Sequence, residues 1–136
     1  MSATFSKEEK SAMRAAAAEA KAAQAGADRE AACLAAIADM IGTDRELAEI
    51  LHRLVTEHTG LTSKTWYGMP AYANADGKVV VFFQSSAKFA VRYATIGFQP
   101  DANLDDGEFW PTSYAVTSLT AGDQERLVAV LKKAVG

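Results

Sequence analysis

Cysteine, histidine and proline are scarce in this sequence, and long apolar runs are absent. Its 136 residues include one cysteine, two histidines and three prolines. The lone Cys33 excludes an internal disulfide. No stretch of about 18 apolar residues offers a membrane span, and the opening MSATFSKEEK lacks the apolar core of a secretory signal. We therefore expect a cytoplasmic protein with no membrane segment.

Basic clusters are also missing. The chain has 14 Lys and Arg against 17 Asp and Glu, which gives a formal net charge of −3. Nucleic acids and anionic lipids are captured by clustered Lys and Arg that displace counterions, so neither is an expected partner. Hydrophobic residues make up 49% of the chain, which is ample for one globular domain.

Composition changes along the chain. Alanine is concentrated in residues 1–40, and every aromatic residue except Phe5 lies within 66–114. Alanine favours helix, whereas aromatic residues and valine favour strands. A helical first part, a sheet-rich middle and a closing helix predict an α+β fold.

Four helices are predicted from capping residues and apolar periodicity. Ser6 begins the first helix, which ends before Gly26. The second carries an apolar stripe that includes Cys33, and a capping box of Thr43 and Glu46 opens the third. A final helix follows the cap Thr120. The predicted ranges are 6–24, 28–41, 43–59 and 121–135.

The strands are predicted from runs of β-prone residues. One run is interrupted at Gly68-Met69-Pro70, and Asp76-Gly77 predicts a hairpin turn after it. Residues 78–84 do not alternate, which predicts a central strand buried on both faces. The second face of this strand must then be buried by another structure, which is the first helix, the last strand segment or a second copy of the chain. Two further strands are expected over 89–97, with Arg92 pointing away from the core, and over 110–116.

No catalytic constellation is recognisable. His52 and His58 are six residues apart on one helix, so they point in different directions and cannot share a metal. His58 continues the apolar stripe, which favours a core-edge histidine over a ligand. Cys33 lies on a buried stripe without a basic neighbour, which predicts an inert thiol. We therefore predict neither an enzyme nor a cofactor.

Two segments remain as candidate sites. The stretch 66–72 combines aromatic rings with a Gly-Pro bend, which suits a binding surface for a small ligand or a protein partner; a kinked core strand is the alternative. The second is an acidic loop whose oxygens suit hard cations, although a solvated turn is the favoured explanation. The proposed binding residues are Trp66, Tyr67, Met69, Tyr72, Arg92 and Trp110. The acidic residues are Asp101, Asp105, Asp106 and Glu108.

Several of these segments together resemble the YdhG-like family of small domains of unknown function. The resemblance rests on Lys64-Thr-Trp-Tyr-Gly-Met-Pro-Ala-Tyr72, the Asp-Gly turn, the strand 79–84, Lys88 and the run 93–97, and it covers about residues 28–135. It implies a two-layer, secretion-chaperone-like fold, with helices on one face of an antiparallel sheet of about five strands. The chain then divides into a loosely docked Ala-rich helix, 1–27, and a YdhG-like domain, 28–136.

The same resemblance supplies a second functional hypothesis. Some members of that family are described as frataxin-like iron chaperones, so weak iron binding by the acidic loop is an alternative to a binding module. We also expect a homodimer, because a second copy of the chain is one of the structures that would bury the second face of the central strand.

Overall fold

The structure is a computed structural model that describes residues 6–136. Three α-helices and a five-stranded antiparallel sheet form an α+β fold, so the predicted fold class is confirmed. In chain order the elements are α1 (Lys7–Ala38), α2 (Gly42–His58), β1 (Thr62–Trp66), β2 (Met69–Ala73), β3 (Val79–Gln84), β4 (Ala94–Phe98), β5 (Ser113–Val116) and α3 (Ala121–Val135). None of the described helices has both the length and the hydropathy to cross a bilayer.

The sheet is a meander in the order β1-β2-β3-β4-β5, and each strand pairs antiparallel with the next along the chain. Successive connections therefore alternate between the two ends of the sheet. The β1–β2 turn and the β3–β4 loop share one end, which we call the Tyr67 end. The β2–β3 turn and the β4–β5 loop share the opposite end, the Gly77 end.

The core lies between the helices and one face of the sheet. Tyr72 of β2 contacts both Cys33 of α1 and His52 of α2 through its hydroxyl, which identifies the face that the helices cover. Cross-strand pairing places Val81 beside Tyr72 on the same face, and Phe83 follows two residues later. These buried side chains each contribute about 1.5–3 kcal/mol to folding through the hydrophobic effect.

The first two predicted helices form one helix, so the predicted break at Gly26 is wrong. A lone glycine costs a helix only about 1 kcal/mol relative to alanine, and no proline or capping residue accompanies it here. Gln24 donates a side-chain hydrogen bond to Asp28 at 3.0 Å, which bridges the glycine on the helix surface. The helix therefore runs across the predicted boundary between 1–27 and 28–136.

The N-terminal half of α1 extends away from the domain. Ser6 caps the helix as predicted, accepting a hydrogen bond from the Glu9 amide, but every residue of 6–24 is exposed. The buried residues of the helix lie further on, at Cys33 and Ile37. The helix does not cover the second face of the sheet.

The predicted capping box at Thr43 does not form. Ile41 occupies the N-cap of α2 and makes no side-chain capping bond, and its side chain is exposed. Asp44, in the first turn, instead reaches across to the β3–β4 loop. A tertiary contact therefore takes the place of the local cap. At the end of the same helix, His58 is exposed beside Glu57 and does not continue the buried stripe.

Two predicted strands are shorter than expected. The run 89–93 is a 3-10 turn, Ala87–Phe89, followed by irregular chain, so Arg92 lies in a loop and β4 begins only at Ala94. Ala90 has a φ of 50°, which interrupts extended backbone. Trp110 precedes β5 and belongs to the β4–β5 loop. Alternation of apolar residues alone was insufficient evidence for either strand.

Candidate functional site: an aromatic surface at the Tyr67 end

The bend predicted around Gly68 is a tight hairpin turn. Trp66 pairs with Met69, so Tyr67 and Gly68 alone connect β1 to β2. Their φ values are 51° and 77°, and positive φ at both central residues is typical of a type I′ turn. Pro70 lies near the start of β2 and has no amide hydrogen to donate. The pairing between β2 and β3 begins only at Ala71, so this missing donor interrupts no bond between the two strands.

Tyr67 is an unusual residue for this turn. Its positive φ is normally adopted by glycine or asparagine, and a bulky side chain there is strained by about 1–3 kcal/mol. The ring recovers little of this energy by burial, because 79% of the residue remains exposed. The turn therefore holds an aromatic ring in solvent at an energetic cost to the fold.

A layer of aromatic rings continues from this turn across the helix-free face of the sheet. The Trp66 ring lies 4.9 Å from the Tyr67 ring and 5.3 Å from the Phe82 ring, between centroids. Phe82 pairs across strands with Gly97 and its ring lies over that glycine. This arrangement covers part of β3 on the helix-free face, where both Trp66 and Phe82 stay half-buried, and a second copy of the chain over that face stays a prediction. Val80 is buried in the protein's own core.

Lys88 joins the β3–β4 loop to the turn. Its Nζ donates to the Tyr67 carbonyl oxygen at 3.0 Å and lies 5.9 Å from the centre of the Phe89 ring. The four residues Trp66, Tyr67, Phe82 and Lys88 are called the aromatic surface below. Arg92, also in this loop, is exposed over the Tyr93 ring.

Asp44 fixes the start of the same loop. Its carboxylate accepts hydrogen bonds from the Ser86 amide at 2.9 Å, the Ser86 hydroxyl at 2.8 Å and the Ala87 amide at 3.1 Å. Burial alone would raise the pKa of Asp44, but these hydrogen bonds outweigh it and lower the pKa below 3.8. The carboxylate stays ionised at neutral pH and anchors the loop that carries Lys88.

The six predicted binding residues are only partly brought together. Trp66, Tyr67 and Met69 are neighbours at the turn, and Arg92 lies in the loop at the same end. Tyr72 is a correction, because its ring faces the helices and is fully buried. Trp110 is a second correction: it lies at the Gly77 end, half-buried against the core.

The described part of the chain, 6–136, contains no group of three His, Cys, Asp or Glu side chains placed to hold a metal. The four carboxylates of the acidic loop are all exposed and are not gathered into such a group. The iron hypothesis therefore gains no support from their arrangement.

The buried polar cluster under the sheet is Cys33, Tyr72 and His52. The Tyr72 hydroxyl is 3.0 Å from His52 Nδ1 and 4.0 Å from the Cys33 sulfur. Burial raises the pKa of the Cys33 thiol and of Tyr72, and lowers that of His52. All three are thus neutral at pH 7, and the fully buried thiol is no nucleophile.

No protein-family model, curated protein or solved structure matches this chain. The resemblance to the YdhG-like family therefore stays a prediction. The functional argument depends on the geometry of the site itself.

Substituting Gly97 tests the aromatic layer. A methyl group at this position would occupy the space of the Phe82 ring, so Gly97→Ala should displace the ring and lower the free energy of unfolding by about 1–3 kcal/mol. Urea unfolding measures the loss, and Trp66 fluorescence in a Trp110→Phe background reports the displaced ring. Gly60→Ala is the control, because nothing lies within 4 Å of its added methyl. Equal stability of the two alanine variants would contradict the layer.

Proposed function

We propose that the protein is a binding module, and that its aromatic surface binds an acidic segment of a partner protein. The observation that carries this proposal is Tyr67, a strained residue whose ring is held in solvent. Strain that persists without a gain in burial is a recognised mark of functional positions. Tyrosine also supplies a large contact area at small entropic cost, which suits interfaces.

The shape of the surface favours a protein over a small ligand. Small molecules bind in concave pockets that enclose most of their surface, whereas this ring stands out from a hairpin turn. Four clefts of about 290–390 Å³ in the described part of the chain are lined by other residues. An exposed ring over a half-buried Trp66 is better suited to insertion between side chains of a partner.

The charge of this end of the sheet favours an acidic partner. Lys88 and Arg92 lie in its loop, and between residues 61 and 99 the one acidic residue is Asp76, which belongs to the opposite end. The Asp44 carboxylate also lies at this end, but it is buried and bonded to Ser86 and Ala87. The net charge of the whole chain is −3, so this basic character is local. Complementary charge increases the rate of association and selects the partner more than it adds affinity.

The experiment is a selection of phage-displayed dodecapeptides on the immobilised full chain, followed by fluorescence anisotropy with the enriched peptides. We expect enriched sequences that combine acidic with apolar residues. Tyr67→Asn should weaken their binding at least tenfold, because it removes the ring. It should leave the fold as stable or more stable, since asparagine tolerates the positive φ. Lys88→Gln should reduce affinity three- to tenfold and reduce its salt dependence.

Phe109→Ala is the matched control. Phe109 is an equally exposed ring, but it lies in the loop at the Gly77 end, so its removal should leave binding unchanged. Enriched peptides that bind Tyr67→Asn as tightly as the wild type would overturn the proposal. So would a selection that enriches nothing, or a small molecule whose binding alone depends on Tyr67.

A further inference from the structure

The outer strand β5 and helix α3 enclose a cleft that the aromatic surface does not involve. Its volume is about 390 Å³, within the range of roughly 300–1,000 Å³ of ligand pockets. Apolar side chains from both layers line it, together with the polar residues Thr117, Ser118, Asp123 and Arg126. The apolar lining includes Ile96, Tyr114, Leu127 and Val130.

One of the two free edges of the sheet, that of β5, runs along this cleft. β5 has a strand on one side only, β4. The Phe98 amide donates to the Thr112 carbonyl at 2.7 Å, and the alternation of an antiparallel ladder then turns the backbone groups of Ser113 and Ala115 outward. These residues offer two N–H donors and two C=O acceptors to an added strand. β5 itself contains no charged residue or proline that would discourage pairing.

We propose that this edge and cleft bind an extended peptide segment of a partner protein by strand addition. The backbone of the peptide pairs with Ser113 and Ala115. Alternate side chains of an added strand point to the same face, so those on the helix side enter the cleft beside Tyr114 and Val130. Strand addition with pockets for alternate side chains is an established mode of peptide recognition.

The chemistry of the cleft specifies the peptide further. Branched aliphatic residues two positions apart fit the apolar floor. Arg126 forms no salt bridge with any residue between 6 and 136, and its charge acts on the nearby Asp123 carboxylate, which accepts a hydrogen bond from the Thr120 amide. Arg126 therefore favours an acidic side chain at the end of the bound segment.

A second copy of this chain is a poorer occupant. β5 provides four residues, whereas a stable interface uses roughly 20–30 residues a side. A short peptide needs only the length of this edge, about 13 Å.

The test is an NMR titration of the ¹⁵N-labelled full chain with blocked hexapeptides. The probes carry valine at positions two and four and glutamate at one end or the other, to cover both strand directions. A peptide of the same composition with adjacent valines is the control. We expect shifts at 113–117 and 126–130, with dissociation constants in the range of about 10–500 μM, and none for the control.

Ala115→Pro isolates the strand pairing. The substitution removes an N–H that points away from β4, so no hydrogen bond to β4 is lost, and an edge strand tolerates such a proline. The protein should therefore stay folded, and its affinity for the peptide should fall at least tenfold. Ala115→Thr, which keeps the N–H, should bind as the wild type does. Arg126→Gln should weaken the glutamate peptides and leave glutamine analogues unaffected.

Three results would overturn the inference. The first is unchanged binding of the peptide to Ala115→Pro, and the second is the absence of shifts at β5 and α3 at millimolar peptide. The third is a set of shifts at 113–116 that depend on the concentration of the free protein, which would indicate pairing between two copies. Tyr67→Asn should have no effect on these peptides. The proposals for the β5 cleft and for the aromatic surface can therefore be refuted separately.

Discussion

Asp44→Ala is expected to lower the free energy of unfolding by about 2–4 kcal/mol. The carboxylate accepts three hydrogen bonds from Ser86 and Ala87. Hydrogen bonds to charged groups contribute a net of about 1.5–3 kcal/mol, and the contributions of bonds that share one carboxylate do not add in full. The loop should also loosen, because this carboxylate anchors its first residues. Urea unfolding measures the first effect, and hydrogen exchange of the 86–93 amides measures the second.

The effect of Asp44 should depend on pH. Its pKa is lowered in the folded protein, so its contribution is complete above about 4 and is lost as the pH falls through the folded value. The wild type and Asp44→Ala should therefore converge in acid. Thr43→Ala is the control and should change stability by less than about 0.5 kcal/mol, because Thr43 forms no capping bond. Equal losses for the two variants would refute the anchor.

Tyr72→Ala should be more damaging still, with a loss of about 3–5 kcal/mol. The ring is fully buried, and removing a large aromatic side chain from a core forfeits both its transfer energy and the contacts around the cavity left behind. The cavity would open beneath α1 and α2 together, since Tyr72 contacts both helices. Thermal and urea unfolding measure the loss.

Tyr72→Phe separates the ring from the hydroxyl. It keeps the packing and removes the bond to His52, so the loss should be about 0.5–1.5 kcal/mol. A loss above 3 kcal/mol for the phenylalanine variant would mean that the polar contacts, not the packing, make this residue important. A loss below 1 kcal/mol for the alanine variant would place Tyr72 outside the core.

The elements that follow from local signals were predicted from the sequence. Thr120 caps α3 in a reciprocal capping box, and the hairpin between β2 and β3 turns at Gly77, whose φ is 79°. The turn is longer than predicted, with the Gly77 amide bonded to the Asn74 carbonyl. Such signals succeed because the residues that make the bonds lie within a few positions of one another.

Predictions failed where a distant residue decided the outcome. Thr43 and Glu46 have the spacing of a capping box, but Asp44 next to them bonds a loop some 40 residues away. The alternating apolar residues 89–93 were predicted as a strand, yet this anchored loop forms a 3-10 turn at Ala87–Phe89 and irregular chain after it. Periodicity reports an amphipathic pattern, and it does not report tertiary hydrogen bonds.

The candidate site was predicted only in part, again because distant residues decide part of its geometry. The composition of residues 66–72 indicated a candidate site. The face of the sheet on which each side chain lies depends on the strand register, and the register depends on the position of the turn. With Tyr67 and Gly68 as the turn, Trp66 faces away from the helices and Tyr72 faces toward them. Phe82 was missed as a site residue because nothing local shows that its ring covers Gly97.

The sequential order of the strands has a consequence for how the chain folds. Every strand pairs with its nearest neighbour in sequence, so the sheet assembles from contacts of low sequence separation, with small losses of chain entropy at each closure. The hairpin at Gly77 closes the shortest segment besides Tyr67–Gly68 and is a natural nucleus for this process. Only the docking of the three helices onto the finished sheet joins distant parts of the chain, and that step is expected to limit the folding rate.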